Sequence, residues 1–289
     1  MAADPARFVL TLSCGDRRGI VAAVANSIAS QGCNIVESAQ YGDPETERFF
    51  MRVSFSAPPT MTVKSFSDGF QPVATGFDFA WTVHDLAVKP RAIILVSKFG
   101  HCLNDLLYRH SIGHLPMELV AVVSNHETMR RRVESDGQRY FYMPVTAADK
   151  EKQEAKLLAM VDDEHVSLLV LARYMQVFSP TMLARLAGRN VSAINIHHSF
   201  LPSFVGARPY QQARLRGVKL IGATAHYVTP ELDAGPIIEQ DVGRVNHAMT
   251  EDEMIATGRD IEATVLARAV RFHLEHRVLV NGDRTVVFP

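Results

Sequence analysis

The sequence R-A-I-I-L-V-S at residues 91–97 is short and almost wholly apolar, which predicts a strand buried on both faces. A helical pattern follows at 103–108, and a second apolar run, L-V-A-V-V-S, occupies 119–124. Strands that alternate with helices in this way form a parallel sheet with helices on both faces. We therefore predict a Rossmann-like, mostly parallel α/β domain over residues 87–289.

The same alternation continues along the chain. Further strands are predicted at 166–172, 192–196 and 222–228, and further helices at 150–160, 180–186 and 251–276. Ligands of such sheets bind beyond the carboxyl ends of the strands. Side chains that directly follow a strand are therefore the candidates for function.

The N-terminal part of the chain has a different pattern. The alternating run F-V-L-T-L-S-C opens a series of strand and helix signals, at 8–14 (strand), 20–30 (helix), 33–41 and 48–55 (strands), 61–75 (helix) and 78–84 (strand). The order β-α-β-β-α-β is that of the ferredoxin-like split unit. A length of 289 residues favours two domains, which we place at 1–86 and 87–289.

The composition excludes several classes of protein. Thirty Lys and Arg against 31 Asp and Glu give a net charge of −1, so no basic surface is expected for nucleic acid or for a membrane. No apolar run approaches the roughly 20 residues of a membrane span, and no basic segment leads into an apolar stretch at the N-terminus. Three cysteines, an odd number without metal-ligand spacing, predict a cytoplasmic protein with neither disulfide nor zinc.

The sequence I-N-I-H-H-S-F-L-P-S-F at residues 194–204 carries the strongest chemical signal. Asn195 and His197 lie two residues apart, on one face of a strand at its carboxyl end. An amide and an imidazole side by side can donate two hydrogen bonds to the oxyanion of an acyl transfer. The loop T-P-E-L-D-A-G-P-I-I at 229–238 adds Asp233, whose carboxylate can orient the imidazole and accept a proton.

We therefore predict Asn195, His197 and Asp233 as the catalytic residues. Each has a structural alternative when it is considered alone. The histidine could be satisfied by the backbone at a strand end, the asparagine could be a turn residue, and the aspartate could cap a loop.

Together, the two segments resemble the catalytic motifs of enzymes that use 10-formyltetrahydrofolate. The first is similar to the signature N-x-H-x-S-x-L-P-S-F and the second to the loop D-x-G-P-I-I. Gly206, G-V-K at 217–219 and G-A-T-A-H at 222–226 fit the same family, over roughly residues 91–289.

Residues 7–84 resemble an ACT domain, through D-R-R-G-I-V after the first strand and G-C-N-I-V at the second. An ACT domain fused to a formyltransferase-type domain is the architecture of the formyltetrahydrofolate deformylase family. The resemblance implies hydrolysis of 10-formyltetrahydrofolate to tetrahydrofolate and formate, which would supply formate and balance the one-carbon pool for purine synthesis. It also implies that no metal or other cofactor takes part.

The resemblance assigns the folate pocket to two segments. These are 175–178 and 229–232, with the folate-binding residues Met175, Gln176, Val177, Phe178, Thr229, Pro230 and Leu232. Core packing between sheet and helix is the alternative for Met175 and Val177. Gln176 departs from the arginine of the related purine transferases.

The ACT resemblance implies a homodimer or homotetramer that binds an amino-acid effector between two copies, near Asp16, Gly19 and Asn34. A turn or cap is the alternative for Asp16, and a tight turn is the alternative for Gly19.

Two rival functions remain. One is transfer of the formyl group to an amine acceptor, and the other is a binding protein that senses amino acids. Two details favour the hydrolase over the transferase. The stretch S-K-F-G-H-C-L-N at 97–104 has one glycine where glycinamide ribonucleotide transferases have a glycine-rich phosphate loop, and His198 stands where they usually have proline.

Overall fold

The structure is a computed structural model that describes residues 5–146, 148–201 and 209–289. The chain divides into two compact units. The first contains the described residues up to Lys89 together with His276–Asn281 and Val286–Pro289, and the second contains Pro90–Glu275 and Gly282–Thr285.

The first unit is a four-stranded antiparallel sheet in the order β2-β3-β1-β4. Its elements follow the predicted β-α-β-β-α-β order, which is confirmed. The bounds are β1 (Ala6–Gly15), α1 (Ile20–Ser30), β2 (Asn34–Asp43), β3 (Arg48–Ala57), α2 (Val63–Phe77) and β4 (Ala80–Asp85).

One face of this sheet forms the core of the unit. Alternate residues of β1, among them Phe8, Leu10 and Leu12, are buried there, as the period of two in the sequence predicts. The ring of Phe66 on α2 stacks on Phe55 with a centroid distance of 4.7 Å. Burial of these large apolar side chains is what holds the helices to the sheet.

The second unit contains a seven-stranded sheet in the order β11-β10-β9-β8-β5-β6-β7. The pairs among β5 to β9 are parallel and the pairs of β10 are antiparallel, which confirms the mostly parallel sheet. The strands are β5 (Arg91–Val96), β6 (Glu118–Ser124), β7 (Tyr140–Tyr142), β8 (Leu168–Leu171), β9 (Ser192–His197), β10 (Leu220–Tyr227) and β11 (Ile237–Arg244). The helices are α3 (His101–Ser111), α4 (Arg130–Ser135), α5 (Lys150–Asp163), α6 (Pro180–Ala187), α7 (Pro209–Arg216) and α8 (Glu251–Leu274).

The strand order reverses at β5, because β6 and β7 lie on one side of it and β8 and β9 on the other. A crevice opens at such a reversal, outside the carboxyl ends of the strands. The segments that follow β5, β8 and β9 therefore begin beside one another at this edge of the sheet. Among the described residues, no helix is both long and apolar enough to cross a membrane.

The end of the chain differs from the predicted boundaries of 1–86 and 87–289. The hairpin of β12 (Val278–Asn281) and β13 (Arg284–Val287) was not predicted, and most of it belongs to the first unit. Polar contacts explain why: the Asn281 amide donates to Asp43 at 2.6 Å, and Arg277 pairs with Glu37 at 3.3 Å. These partners are distant in sequence, so no local pattern could reveal them.

Candidate active site

A cavity of about 240 Å³ lies in the second unit at the carboxyl ends of β8 and β9. All ten residues predicted as catalytic or folate-binding line it. They are Asn195, His197, Asp233, Met175, Gln176, Val177, Phe178, Thr229, Pro230 and Leu232. The structure thus brings the whole predicted group to one place.

Strand β9 aims two of these side chains into the cavity. Ile194 and Ile196 are buried on one face of the strand, and Asn195 and His197 alternate with them on the other. The antiparallel register of β9 and β10 places Asn195 opposite His226 and His197 opposite Thr224. The strand end therefore presents an amide and an imidazole side by side.

Asp233 reaches the same point from the loop between β10 and β11. One carboxylate oxygen lies 3.2 Å from Nδ1 of His197, and the other lies 3.6 Å from Nε2 of His226. Its backbone has a φ of 55°, a left-handed conformation that a non-glycine residue keeps only when its surroundings impose it. The loop is fixed at Gly235, where any Cβ would overlap the carbonyl oxygen of Tyr227.

These contacts decide the charge of Asp233. The hydrogen bond from His197, and then the contact with His226, hold the pKa of Asp233 well below its usual range. The carboxylate is therefore ionised at neutral pH.

His226 orients Asn195. Its Nδ1 lies 2.9 Å from the carbonyl oxygen of Tyr227, which can only accept, so Nδ1 carries a proton. Nε2 lies 3.4 Å from the amide nitrogen of Asn195, and in the neutral ring it accepts from that amide. This contact turns the amide oxygen of Asn195 away from His226 and leaves its second N–H for another partner.

Thr224 is buried and holds the segment after β9. Its hydroxyl donates to the carbonyl oxygen of Ser199 at 2.9 Å and accepts from the Leu201 N–H at 3.1 Å. The rest of the N-x-H-x-S-x-L-P-S-F motif, residues 202–204, and Gly206 lie outside the described residues.

The exposed fractions of the lining residues settle one open alternative. Met175, Val177 and Leu232 are 60%, 57% and 67% exposed, so they do not belong to the core. Phe178 is buried and forms the base of the same wall. Large apolar side chains gathered around a cavity are typical of a small-molecule binding site.

Five polar residues of the cavity were not predicted as site residues, namely Arg173, Tyr174, His198, His226 and Glu231. His198 comes directly after β9 and Arg173 comes two residues after β8, which is the region where side chains were expected to be functional. Arg173 pairs with Glu262 at 3.3 Å and has a left-handed backbone, with a φ of 62°.

Glu262 lies on α8 and is 1% exposed. Its carboxylate accepts from the Tyr210 hydroxyl at 2.9 Å and lies 2.8 Å from Nε2 of His101. Burial alone would raise the pKa of Glu262, but the hydrogen bond from His101 and the charge of Arg173 outweigh it and lower the pKa. These partners compensate a buried charge that would otherwise be costly.

His101, Cys102 and Glu262 are also the one group of three possible metal ligands found among the described residues. Both carboxylate oxygens already have protein partners, and burial raises the pKa of the Cys102 thiol well above its usual value. A thiol that keeps its proton is a poor metal ligand. The absence of a metal or other cofactor stays a prediction.

The predicted effector residues do not all come together. Asp16 and Gly19 lie at the start of α1, near the end of β2 that contains Gly42. Asn34 is the first residue of β2, eight residues before Gly42 and therefore roughly 25 Å from it along the strand. Asn34 could meet Asp16 and Gly19 only across two copies of the chain.

The sequence model of the family described as formyl transferase matches residues 90–270. The formyltetrahydrofolate deformylase of Corynebacterium sp. (strain P-1) is 46% identical over 287 residues, which is 98% of this chain and 99% of that protein. The formyltetrahydrofolate deformylase of Bacillus subtilis is 45% identical over 281 residues, 96% of this chain and 93% of that protein.

The fold is also similar to that of solved structures of such proteins. The crystal structure of formyltetrahydrofolate deformylase from Burkholderia mallei has a TM-score of 0.92 at 48% identity, and the match covers 99% of this chain and 100% of that one. The crystal structure of glycinamide ribonucleotide transformylase 1 from Symbiobacterium toebii has a TM-score of 0.63 at 28% identity, and the match covers 70% of this chain and 95% of that one. The similarity to deformylases therefore extends over both units, whereas the similarity to the transformylase covers a smaller part of the chain.

Proposed function

The chain belongs to the formyltetrahydrofolate deformylase family, and we propose that the cavity at the end of β9 is where it carries out the reaction of that family. The reaction is hydrolysis of 10-formyltetrahydrofolate to tetrahydrofolate and formate. It supplies formate and balances the one-carbon pool for purine synthesis. The observation that carries our proposal is that Asn195, His197 and Asp233 meet beside an apolar wall.

Asn195 and His197 stabilise the oxyanion in this mechanism. When a nucleophile adds to the formyl carbon, negative charge develops on the formyl oxygen. The free N–H of the Asn195 amide donates to that oxygen. His197 acts in its imidazolium form, in which Nε2–H donates to the same oxygen and Nδ1–H donates to Asp233 at 3.2 Å. Donors that are already in place need no reorganisation as the charge appears, which is the source of their catalytic effect.

Asp233 accepts the proton of the attacking water. Its low pKa makes it a weak base, so the proton leaves the water only as the water oxygen bonds to the formyl carbon and becomes acidic. Asp233 then returns this proton to N10 of the folate as the C–N bond breaks. N10 is an aniline-type nitrogen and a poor base, so it needs that proton at the moment it leaves.

The folate lies between the two predicted walls in this proposal. Met175, Val177 and Leu232 supply the exposed apolar surface, and Phe178 supplies the buried base. Gln176, Thr229 and Pro230 complete the lining. We place the polar edge of the pterin against the backbone of 176–178, since the Met175 N–H already donates to the Ser97 hydroxyl at 2.9 Å.

One assay separates the proposed function from its rivals. Incubation of the protein with 10-formyltetrahydrofolate, with no acceptor amine, should release formate and tetrahydrofolate in equal amounts. A folate that stays intact until an amine is added would indicate a transferase. A folate that stays intact under both conditions would indicate that the protein is a binding protein and not an enzyme acting on this folate.

His197 allows a test of the oxyanion role. We expect His197→Asn to keep more activity than His197→Ala, because an amide can still donate a hydrogen bond to the oxyanion. The measurement is kcat for formate release, with thermal unfolding of both variants as the control for folding. Equal loss in the two variants would mean that the imidazole does more than donate a hydrogen bond.

The first unit has a regulatory role in our proposal. It resembles an ACT domain, and we place an amino-acid effector between two copies of the chain, with Asp16 and Gly19 of one copy and Asn34 of the other. Asp16 and Asn34 are both exposed, and Asp16 lies beside Gly42 at the opposite end of β2 from Asn34, which supports a site shared by two copies. A homodimer or homotetramer is therefore part of the proposal. So is a cytoplasmic location, since Cys14, Cys33 and Cys102 are all unpaired thiols.

Asp16→Ala should abolish any response to amino acids and leave basal formate release unchanged. An effector that binds the more active and the less active states unequally must shift turnover, so each amino acid is titrated against formate release. Asp68→Ala, an exposed aspartate on α2, is the matched control. A chain that light scattering shows to be monomeric, with turnover indifferent to every amino acid, would contradict the proposal.

A further inference from the structure

His198 lines the cavity next to the proposed oxyanion site, and the proposed mechanism does not use it. Its ring centroid lies 4.8 Å from that of His197. Neither ring nitrogen has a hydrogen-bond partner among the described residues. Neither nitrogen is among the fully buried polar atoms that lack a partner, so both retain some access to solvent. Polar groups in such half-buried positions are usually hydrogen-bonded, to protein or to water. His198 therefore has open hydrogen-bonding capacity that a water can reach.

The surroundings keep the imidazole of His198 neutral. Burial, and then the positive charges of Arg173 and His197, lower the pKa of His198 to about 4. A neutral imidazole has one nitrogen that accepts a hydrogen bond and one that donates. At neutral pH His198 is thus an acceptor beside two donors, Asn195 and His197.

Arg173 and Tyr210 are both held by a single buried carboxylate. Glu262 pairs with Arg173 at 3.3 Å and accepts from Tyr210 at 2.9 Å. The Tyr210 ring lies 6.5 Å from that of His198, by centroids. The positive charge that disfavours the imidazolium form of His198 is therefore held in place, and does not belong to a free surface side chain.

A water that attacks the formyl group has two O–H bonds, and both need an acceptor if the water is to be held in one orientation. Asp233 accepts one of them in the proposed mechanism. Asn195 and His197 donate to the formyl oxygen, so they cannot accept the other. His198 is the neutral acceptor that adjoins them in sequence and in space.

We propose that His198 binds the attacking water by accepting its second O–H, so that the oxygen lone pair points at the formyl carbon. This inference rests on the proposed function and names a further residue for it. An amine acceptor can be oriented through contacts with the rest of its molecule, whereas a water can be oriented only through its own hydrogen bonds. A hydrolase therefore needs such an acceptor more than an amine transferase does. Orientation of a nucleophile against its target is a recognised source of rate.

The water oxygen bonds to the formyl carbon, one water proton passes to Asp233, and the carbonyl electron pair moves to the formyl oxygen. As the C–N bond breaks, N10 takes the proton from Asp233 and keeps the electron pair of that bond. The second water proton stays on the new hydroxyl, hydrogen-bonded to His198, and leaves with formic acid, which then ionises to formate.

The test compares two replacements of His198 in the full-length protein. His198→Leu removes the acceptor and should lower kcat by about 10- to 100-fold, with the Kd for tetrahydrofolate unchanged. His198→Gln keeps an acceptor oxygen and should restore several-fold of that loss. The same leucine replacement at His247, which is exposed and outside the cavity, is the matched control and should leave kcat unchanged.

If the wild-type protein releases formate, any of three outcomes would overturn the inference. They are an unchanged kcat in His198→Leu, a loss confined to folate affinity, and equal losses in the leucine and glutamine variants. If His198→Leu does not fold, the glutamine variant decides. A kcat closer to that of the wild type than to that of Asp233→Asn supports an acceptor role for His198, and a kcat closer to that of Asp233→Asn opposes it. A wild-type protein that releases no formate is a failure of the proposed function itself, and this is seen before any variant is made.

Discussion

Asp233→Asn is expected to lower kcat for formate release by about 10²- to 10⁴-fold and to leave the affinity for tetrahydrofolate nearly unchanged. The amide has the shape of the carboxylate but cannot accept the proton of the attacking water. Asparagine also tolerates the left-handed backbone at this position, where φ is 55°. The loop should therefore keep its conformation while the base is lost.

The measurement is formate release under saturating folate, with tetrahydrofolate binding by calorimetry. Asp241→Asn on β11, the same change at a carboxylate paired with Arg268, is the matched control and should keep wild-type turnover. Near wild-type turnover in Asp233→Asn would remove this residue from the mechanism.

The pH dependence provides a second check on Asp233. Its pKa is lowered in the folded protein, so the ionised form that catalysis requires, and the stability that comes from it, are present above the unfolded pKa of about 3.9. Both are lost only as the pH falls through the lower, folded value. kcat/KM should therefore show no loss through Asp233 between about pH 8 and pH 5, and an acid limb that persists unchanged in Asp233→Asn comes from another group.

Asn195→Ala is expected to lower kcat by about 10²- to 10³-fold, the effect of losing one oxyanion donor. The amide is oriented by His226 at 3.4 Å, so the donor is in place before the substrate arrives. The loss should appear in kcat and in kcat/KM alike, because the interaction exists in the transition state and not in the bound substrate.

The control for this variant is Asn246→Ala, an exposed asparagine before α8 that should keep full turnover. Thermal unfolding separates the catalytic role from a structural one. If the main effect of Asn195→Ala is a lower Tm with normal turnover in the molecules that remain folded, then Asn195 is a structural residue of β9.

The sequence was sufficient for the part of the site that depends on one strand. The alternation of Ile194, Asn195, Ile196 and His197 specifies which side chains share a face, since the period of a strand is two. The position of Asp233 relative to His197 depends instead on the register of β9 with β10 and on the close approach at Gly235. Only the resemblance to a family connected those two segments before the structure did.

Other features had no local signal at all. Glu262 is a charged residue in the middle of a long helix, where solvent exposure is the usual expectation. Its burial depends on His101, Arg173 and Tyr210, which come from three separate segments. The exposure of Met175 and Val177 was likewise undecided, because apolar residues after a strand suit a core and a binding wall equally well.

The hairpin at the end of the chain has a consequence for how the protein is made. The ribosome synthesises residues 1–89 first, but the first unit also contains His276–Asn281, where the rings of His84 and His276 stack at 3.5 Å. Domains tend to fold as they emerge from the ribosome. This one can form its four-stranded sheet early, yet it gains its last contacts only after Pro90–Glu275 of the second unit have been synthesised. A protein truncated by a premature stop near its end would therefore lose contacts of its N-terminal unit, although every residue of the proposed catalytic group would be present.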